Sequence, residues 1–282
     1  MRFVFASDSL KGTISSARAA AILEEEAARA FPNVACTRLA VADGGEGTVD
    51  AVVASLGGAL IEATVSDPLG RPVEATYGML PGNRAIIEMA AASGLPLLTH
   101  AERNPMLTST YGTGQLVLHA LRNGAAEVTL AIGGSATNDG GMGAMRALGV
   151  RFLDGAGGEL QGTGADLGRV ARIDISGLDP LVSRASFRLL CDVDNPLLGP
   201  RGATRVFSPQ KGATPEQVEE LEQGMASYAR VLERTLGRAA DKPGDGAAGG
   251  LGAATRLFLG AESVPGIDWV LDVVGLDRAL LG

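Results

Sequence analysis

Nine residues, GGSATNDGG at 133–141, follow directly on the apolar run EVTLAI and gather small residues and polar side chains at a strand end. Glycines 133, 134, 140 and 141 let the backbone take positive φ and let a ligand approach N–H groups that a Cβ would shield. Ser135, Thr137, Asn138 and Asp139 add hydroxyls, an amide and a carboxylate, enough to hold a phosphate, a metal ion or both. The next segment, MGAMRALG, reads as a helix, so the loop sits at a positive helix end that favours anions. The plainer alternative is a Gly-rich turn whose Ser and Asn cap that helix.

Three further strand-end loops repeat the logic. DSLKG at 8–12 offers Asp8, Ser9 and Lys11; Lys11 precedes the only glycine, so this is no Walker A loop, but its ammonium can neutralise an anion as a point charge. DGGEGT at 43–48 brings Asp43 and Glu46, able to hold Mg²⁺ or orient a hydroxyl, or else to cap a helix. CDVDNPL at 191–197 supplies Asp192, Asp194 and Asn195, and a carboxylate there could take a hydroxyl proton during phosphoryl transfer. Asx turns are the alternative. Lys211 lies in PQKGA, just before a helix.

Other chemistries find no support. Gly244, Gly246 and Gly249 match Gly-x-Gly-x-x-Gly, but RAADKP rather than a strand precedes them, which excludes a dinucleotide fingerprint and with it a nicotinamide-dependent oxidoreductase. His100 and His119 have no partner at metal spacing, and no Gly-x-Ser-x-Gly elbow occurs. Cys36 and Cys191 fall in apolar runs and read as buried, reduced thiols.

The elements that must carry these loops read as α/β. RFVFAS, SSARAAAILEEEAARAF and VACTRLAVA form a β-α-β unit over residues 2–42, which predicts parallel strands and places both following loops at one carboxyl edge. A helix near 46–55 and three strands, GALIEATVSD, PVEATYGML and RAIIEMA, come next, joined by hairpin-type turns that imply antiparallel pairing. TGQLVLHALRNG and EVTLAIGG complete an α-β-β-β-α-β order, FRLLCDV is a later strand, and TPEQVEELEQGMASYARVLERTL is a helix starting at Thr214 or Pro215. A length of 282 residues suits about two domains. The net charge of −8 and the lack of a basic block argue against nucleic-acid binding. No apolar run is long enough for a bilayer and no signal-peptide pattern opens the chain, so a soluble cytoplasmic protein is expected, with no membrane partner.

Taken jointly and in order, DSLKG, ADGGEGT, VSDPLGRPVEATYG, IEMAAASGL, RNPMLTSTYGTGQL, GGSATNDGG, CDVDNPLLG, FSPQKGA and GAAGGLG resemble the bacterial glycerate kinase family over nearly the whole chain. The resemblance implies transfer of the ATP γ-phosphoryl group to D-glycerate, at its 2-hydroxyl, with Mg²⁺. It implies a two-domain α/β fold: a flavodoxin-like (Rossmann-like) domain, of which residues 1–43 are the N-terminal part, and a second α/β domain of mixed sheet over residues 44–282. For a kinase of this kind the candidate catalytic residues are Asp192 as base and Lys11 as a phosphate or carboxylate partner. Asp8, Ser9, Arg71, Arg103, Asn195 and Lys211 become substrate-binding residues, the two arginines as carboxylate clamps. Gly133, Gly134, Ser135, Thr137 and Asn138 hold nucleotide phosphate, and Asp43 with Asp139 hold the metal. These loops are expected to converge on one cleft. Family members continue past GIDWVLDVVGLDRALLG into a GEGR-type loop, so the reading expects an incomplete first domain with an uncovered sheet edge. A catalytically weak binding remnant and a homo-oligomer both stay open on that count.

Overall fold

The computed structural model describes residues 1–8, 13–42 and 44–281. The first unit forms as its periodicity predicts, with β1 (Arg2–Ser7), α1 (Ser16–Ala30) and β2 (Ala35–Ala40). Ser15 starts α1 by accepting the Arg18 N–H, which satisfies one of the free donors of a first helical turn. β1 and β2 pair in parallel, Phe3 opposite Cys36 and Ala6 opposite Leu39, as a two-stranded sheet separate from the rest.

The expected second run follows: α2 (Thr48–Leu56), β3 (Ala59–Ser66), β4 (Pro72–Leu80), β5 (Arg84–Glu88), a single turn α3 (Ala90–Ser93), α4 (Tyr111–Arg122) and β6 (Glu127–Ala131). Then come α5 (Met142–Ala147), a small antiparallel pair β7 (Arg151–Leu153) and β8 (Arg172–Asp174), and β9 (Ser186–Leu190). The chain continues with α6 (Ala203–Phe207), α7 (Pro215–Leu236), α8 (Ala247–Phe258), β10 (Glu262–Val264), α9 (Gly266–Val274) and α10 (Leu276–Leu281). Thr214 and Gln217 form a reciprocal capping box at the start of α7, with Pro215 in its first turn.

Six strands make one mixed sheet in the order β10-β9-β6-β5-β4-β3. β3, β4 and β5 are antiparallel, as their short turns require, whereas β5, β6, β9 and β10 run parallel. Successive side chains on the parallel strands enter different cores. Ile87, Leu130 and Leu189 join the large core with Leu116 of α4, Met145 of α5, Leu232 of α7 and Leu251 of α8. Ile86, Ala131 and Leu190 face the other way, into a smaller core with Val49 and Val52 of α2 and Trp269 of α9. Strands covered on both faces read as continuous apolar runs, which is how EVTLA and SFRLL look in the sequence. Each fully buried Ile or Leu here contributes about 1.5–3 kcal/mol. A third, small cluster of Val41, Val270 and Val274 joins the end of β2 to α9. No helix among the described residues is long and apolar enough to cross a membrane.

Candidate functional site

Parallel pairing aligns the carboxyl ends of three neighbouring strands. Glu88 of β5 sits opposite Ala131 of β6, which sits opposite Leu190 of β9. The chain leaves β6 into Gly133–Ser135 and β9 into Cys191–Asp192, so both loops rise from the edge where open α/β sheets bind ligands. A cleft of about 820 Å³ opens there, lined by Glu88, Gly133, Gly134, Ser135, Asp192 and Lys211 among others.

Its floor is the first half of the glycine loop. The Gly133 N–H donates to the Gly44 carbonyl at 3.3 Å, and a Cβ at Gly133 would lie 2.9 Å from Gly45 Cα, so this close crossing of two loops requires glycine. Ser135 and Thr137 are tied together by Lys211, which enters from the turn ahead of α7. The residue is 2% exposed, and its ammonium donates to Ser135 Oγ at 2.7 Å and to the Thr137 carbonyl at 2.6 Å. Burial pushes the Lys211 pKa down to about 7, with the Asp139 carboxylate pulling the other way. An arriving phosphate would favour its charged form.

The second half of the loop turns inward, and this bears on three of the expected roles. Thr137, Asn138 and Asp139 are fully buried. Asn138 donates to Thr204 Oγ1 at 3.1 Å and so braces the loop against α6 rather than presenting its amide to the cleft. Asp139 does not fit a metal ligand. Its Oδ2 accepts the N–H and hydroxyl of Thr110 and the Gly143 N–H, and its Oδ1 accepts the Gly141 N–H, so its lone pairs are spent on holding the loop and the start of α5. Burial pushes its pKa up despite those donors. No group of three His, Cys, Asp or Glu residues able to cage a metal occurs among the described residues.

Asp192 is exposed in the cleft wall, and its Oδ1 accepts the Gly266 N–H at 2.8 Å, which fixes the carboxylate against the first turn of α9. Opposite it on β5, Glu88 Oε1 accepts the Val49 N–H at 2.7 Å. The residue before α2 is Gly47, which has no side chain to cap the helix, so Glu88 does this from the neighbouring strand. Burial pushes the Glu88 pKa up to about 7; the Val49 and Gly47 N–H groups oppose this, and the Asp50 and Glu46 charges reinforce it.

Other expected residues stand elsewhere. Arg71 is drawn into ion pairs with Asp67 and Glu102, each at 2.6 Å, and does not line this cleft. Arg103 packs its backbone against Gly212 and is likewise outside the lining. Asn195 donates to the Arg201 carbonyl at 2.7 Å, and Asp194 pairs with Arg201 at 2.8 Å. Asp8 is exposed just past β1. Ser9, Lys11 and Asp43 lie outside the described residues.

Two cleft features lie in segments quoted for the family resemblance, IEMAAASGL and GAAGGLG, but carry no role in the sequence reading. Glu88 ends an apolar strand, and the rule applied to the other strand ends would have found it. The second is a left-handed turn, Ala248, Gly249 and Gly250 with φ of +51°, +68° and +95°, near the start of α8. Ala248 lines the cleft, and the Gly249 carbonyl accepts the Gly140 N–H at 3.0 Å, so this turn buttresses the phosphate loop from behind. Nothing in the spacing of GDGAAGG announces a non-glycine residue at positive φ.

A model of the glycerate kinase family matches residues 3–282. The glycerate kinase of Bacillus subtilis (strain 168) is 47% identical over 98% of this chain and 73% of its own. The glycerate 2-kinase of Escherichia coli (strain K12) is 45% identical over 99% of this chain and 74% of its own. A crystal structure from Salmonella typhimurium LT2, described as a glycerate kinase 2, superposes with a TM-score of 0.89 at 44% identity, over 99% of this chain and 75% of that one.

Proposed function

Since this chain belongs to the glycerate kinase family, we propose that its cleft transfers the γ-phosphoryl group of ATP to the 2-hydroxyl of D-glycerate, giving ADP and 2-phosphoglycerate. The observation that supports this reading best is the meeting, at one sheet edge, of the Gly133–Ser135 backbone, the buried Lys211 ammonium and the Asp192 carboxylate. Phosphoryl transfer needs little covalent help; it needs reactants held in line and charge stabilised. In this reading the glycine loop and Lys211 hold phosphate oxygens. Asp192 accepts the hydroxyl proton as the new P–O bond forms and the bond to ADP breaks. The name of the Escherichia coli relative supports the 2-hydroxyl as acceptor.

Mg²⁺ is proposed as the companion of ATP, carried chiefly on its phosphates, in keeping with how this ion is usually bound. Asp139, its lone pairs spent on the loop, does not fit a ligand for the ion, and Asp43 lies outside the described residues. Residues 1–43 are proposed as part of a flavodoxin-like unit and residues 44–282 as the second α/β unit, with the reaction in the cytoplasm.

The test is ADP release by the purified chain with ATP, with and without D-glycerate, and phosphorus NMR of the product. ADP release that does not depend on glycerate would sink the reading. Asp192→Asn keeps the shape but cannot take the proton, and should lower kcat by about 100- to 10,000-fold with little change in the KM for glycerate. A near-normal kcat would move the base elsewhere.

A further inference from the structure

The described cleft lining carries three carboxyl groups, Glu46, Glu88 and Asp192, against one ammonium, Lys211. Both proposed substrates are anions, and the two arginines expected to clamp a carboxylate stand outside the lining. Three ionised carboxylates facing an anionic substrate in a partly dehydrated cleft would repel it strongly. Protonating one of the three relieves that repulsion without calling on a further cation. Asp192 and Glu46 are exposed, whereas Glu88 is half-buried between β5, β6 and α2.

Resting on the kinase reading above, we propose that Glu88 is a specificity-determining residue that keeps its proton in the substrate complex and donates it, as a hydrogen bond, to an anionic oxygen of the bound substrate. The placement supports this in three ways. Glu88 is in line with Ala131 on the strand that feeds the phosphate loop, so its carboxyl borders the space above Gly133–Ser135. The Val49 N–H donates to Oε1 and the Gly47 N–H also bonds the carboxyl, so the start of α2 fixes Glu88 at the cleft edge. The charges that face it from the packed elements are Asp50 on α2 and Glu46 in the loop before it, both of which disfavour ionisation. Lys211 faces the same cleft from the turn before α7, and Asp192 from the end of β9. Burial brings the Glu88 carboxyl to half-ionisation near neutral pH, so substrate binding above that pH must draw in a proton.

Two carboxyl groups in one cleft commonly divide the donor and acceptor roles. Here the exposed Asp192 is the acceptor of the hydroxyl proton and Glu88 the donor to an anion. The anionic oxygen belongs either to the carboxylate of the acceptor acid or to a phosphate of the nucleotide.

Calorimetric titration of the full chain in two buffers of different ionisation enthalpy, with D-glycerate alone and then a non-hydrolysable ATP analogue alone, separates these sources. The expected result is uptake of about one proton per site near pH 8 with one of the two ligands. Lys211 also gains its proton when an anion arrives, so the same titration on Glu88→Gln isolates the Glu88 share: uptake lowered by about one proton per site supports the proposal, and uptake unchanged by the substitution overturns it. Gln keeps an acceptor for the Val49 N–H and a neutral donor for the substrate. In Glu88→Gln the KM of the affected substrate should lose its rise above about pH 7, with kcat/KM lowered about 3- to 10-fold at lower pH by the weaker donor. A fall in kcat of about 100-fold or more at unchanged KM would instead make Glu88 a proton acceptor in the transfer, and the proposal would be wrong. No proton uptake by the wild-type chain with either ligand also overturns it, whether or not the variant folds. Failure of the kinase reading shows separately, as ADP release that ignores glycerate in the wild-type chain.

Discussion

Lys211 is the residue on which the phosphate loop hinges. A lysine this deeply buried is held only because two oxygens meet its ammonium, Ser135 Oγ and the Thr137 carbonyl. Its pKa, pushed down to about 7, means that near neutrality its charge is gained easily when an anion arrives. Lys211→Met keeps the unbranched apolar stem and removes the charge. Loss of a charged hydrogen bond costs about 1.5–3 kcal/mol, so the KM for ATP should rise about 10- to 100-fold in steady-state assays. A melting temperature that falls while the KM for ATP stays put would make the lysine a strut of the loop and nothing more.

At the scale of elements, the left-handed turn of α8 is the least replaceable part of the site. Gly249 has φ of +68°, and a Cβ there would stand 2.1 Å from the Thr137 carbonyl oxygen, the same oxygen that accepts the Lys211 ammonium. Gly249→Ala therefore has to shift the loop and take up a left-handed conformation costly for alanine, and should destabilise the chain by about 1–3 kcal/mol in denaturant titration while weakening ATP binding. Unchanged stability would show that the turn relaxes independently of the loop. The element order was legible because short turns such as PLGR and PGN force hairpins and buried parallel strands are bare apolar runs. The loops after β6 and β9 bring Gly133–Ser135 and Asp192 to one cleft, and the turn before α7 brings Lys211. What spacing could not convey was competition for side chains. Asp67 and Glu102 claim Arg71, and Thr110, Gly141 and Gly143 claim Asp139, through contacts that only the folded chain creates.

The whole molecule is unevenly stabilised. In the described part of residues 1–42, only Ala20, Val41 and Ala42 are buried, whereas β5, β6 and β9 contribute Ile86, Ile87, Leu130 and Leu189 to two packed faces. Local opening free energy follows buried apolar contact. Native-state hydrogen exchange should release the amides of β1 and β2 well before those of β5, β6 and β9. Equal protection throughout would mean that the small Val41, Val270 and Val274 cluster couples the first unit to the main sheet more tightly than its size suggests.

The strand order also sets a sequence of events for the chain as it folds. β3, β4 and β5 close through short turns, but β6 must reach β5, β9 must reach β6 and β10 must reach β9, each across long intervening chain. Closing large loops is entropically slow, so the hairpins come early and the parallel half late. The cleft draws on Glu88, Gly133, Asp192, Lys211 and Ala248, which are scattered over both halves. Its ligands accordingly have nothing to grasp on a partly folded chain. They cannot template folding; they act as a latch on the finished molecule, raising its stability only by mass action once the last strand is in place.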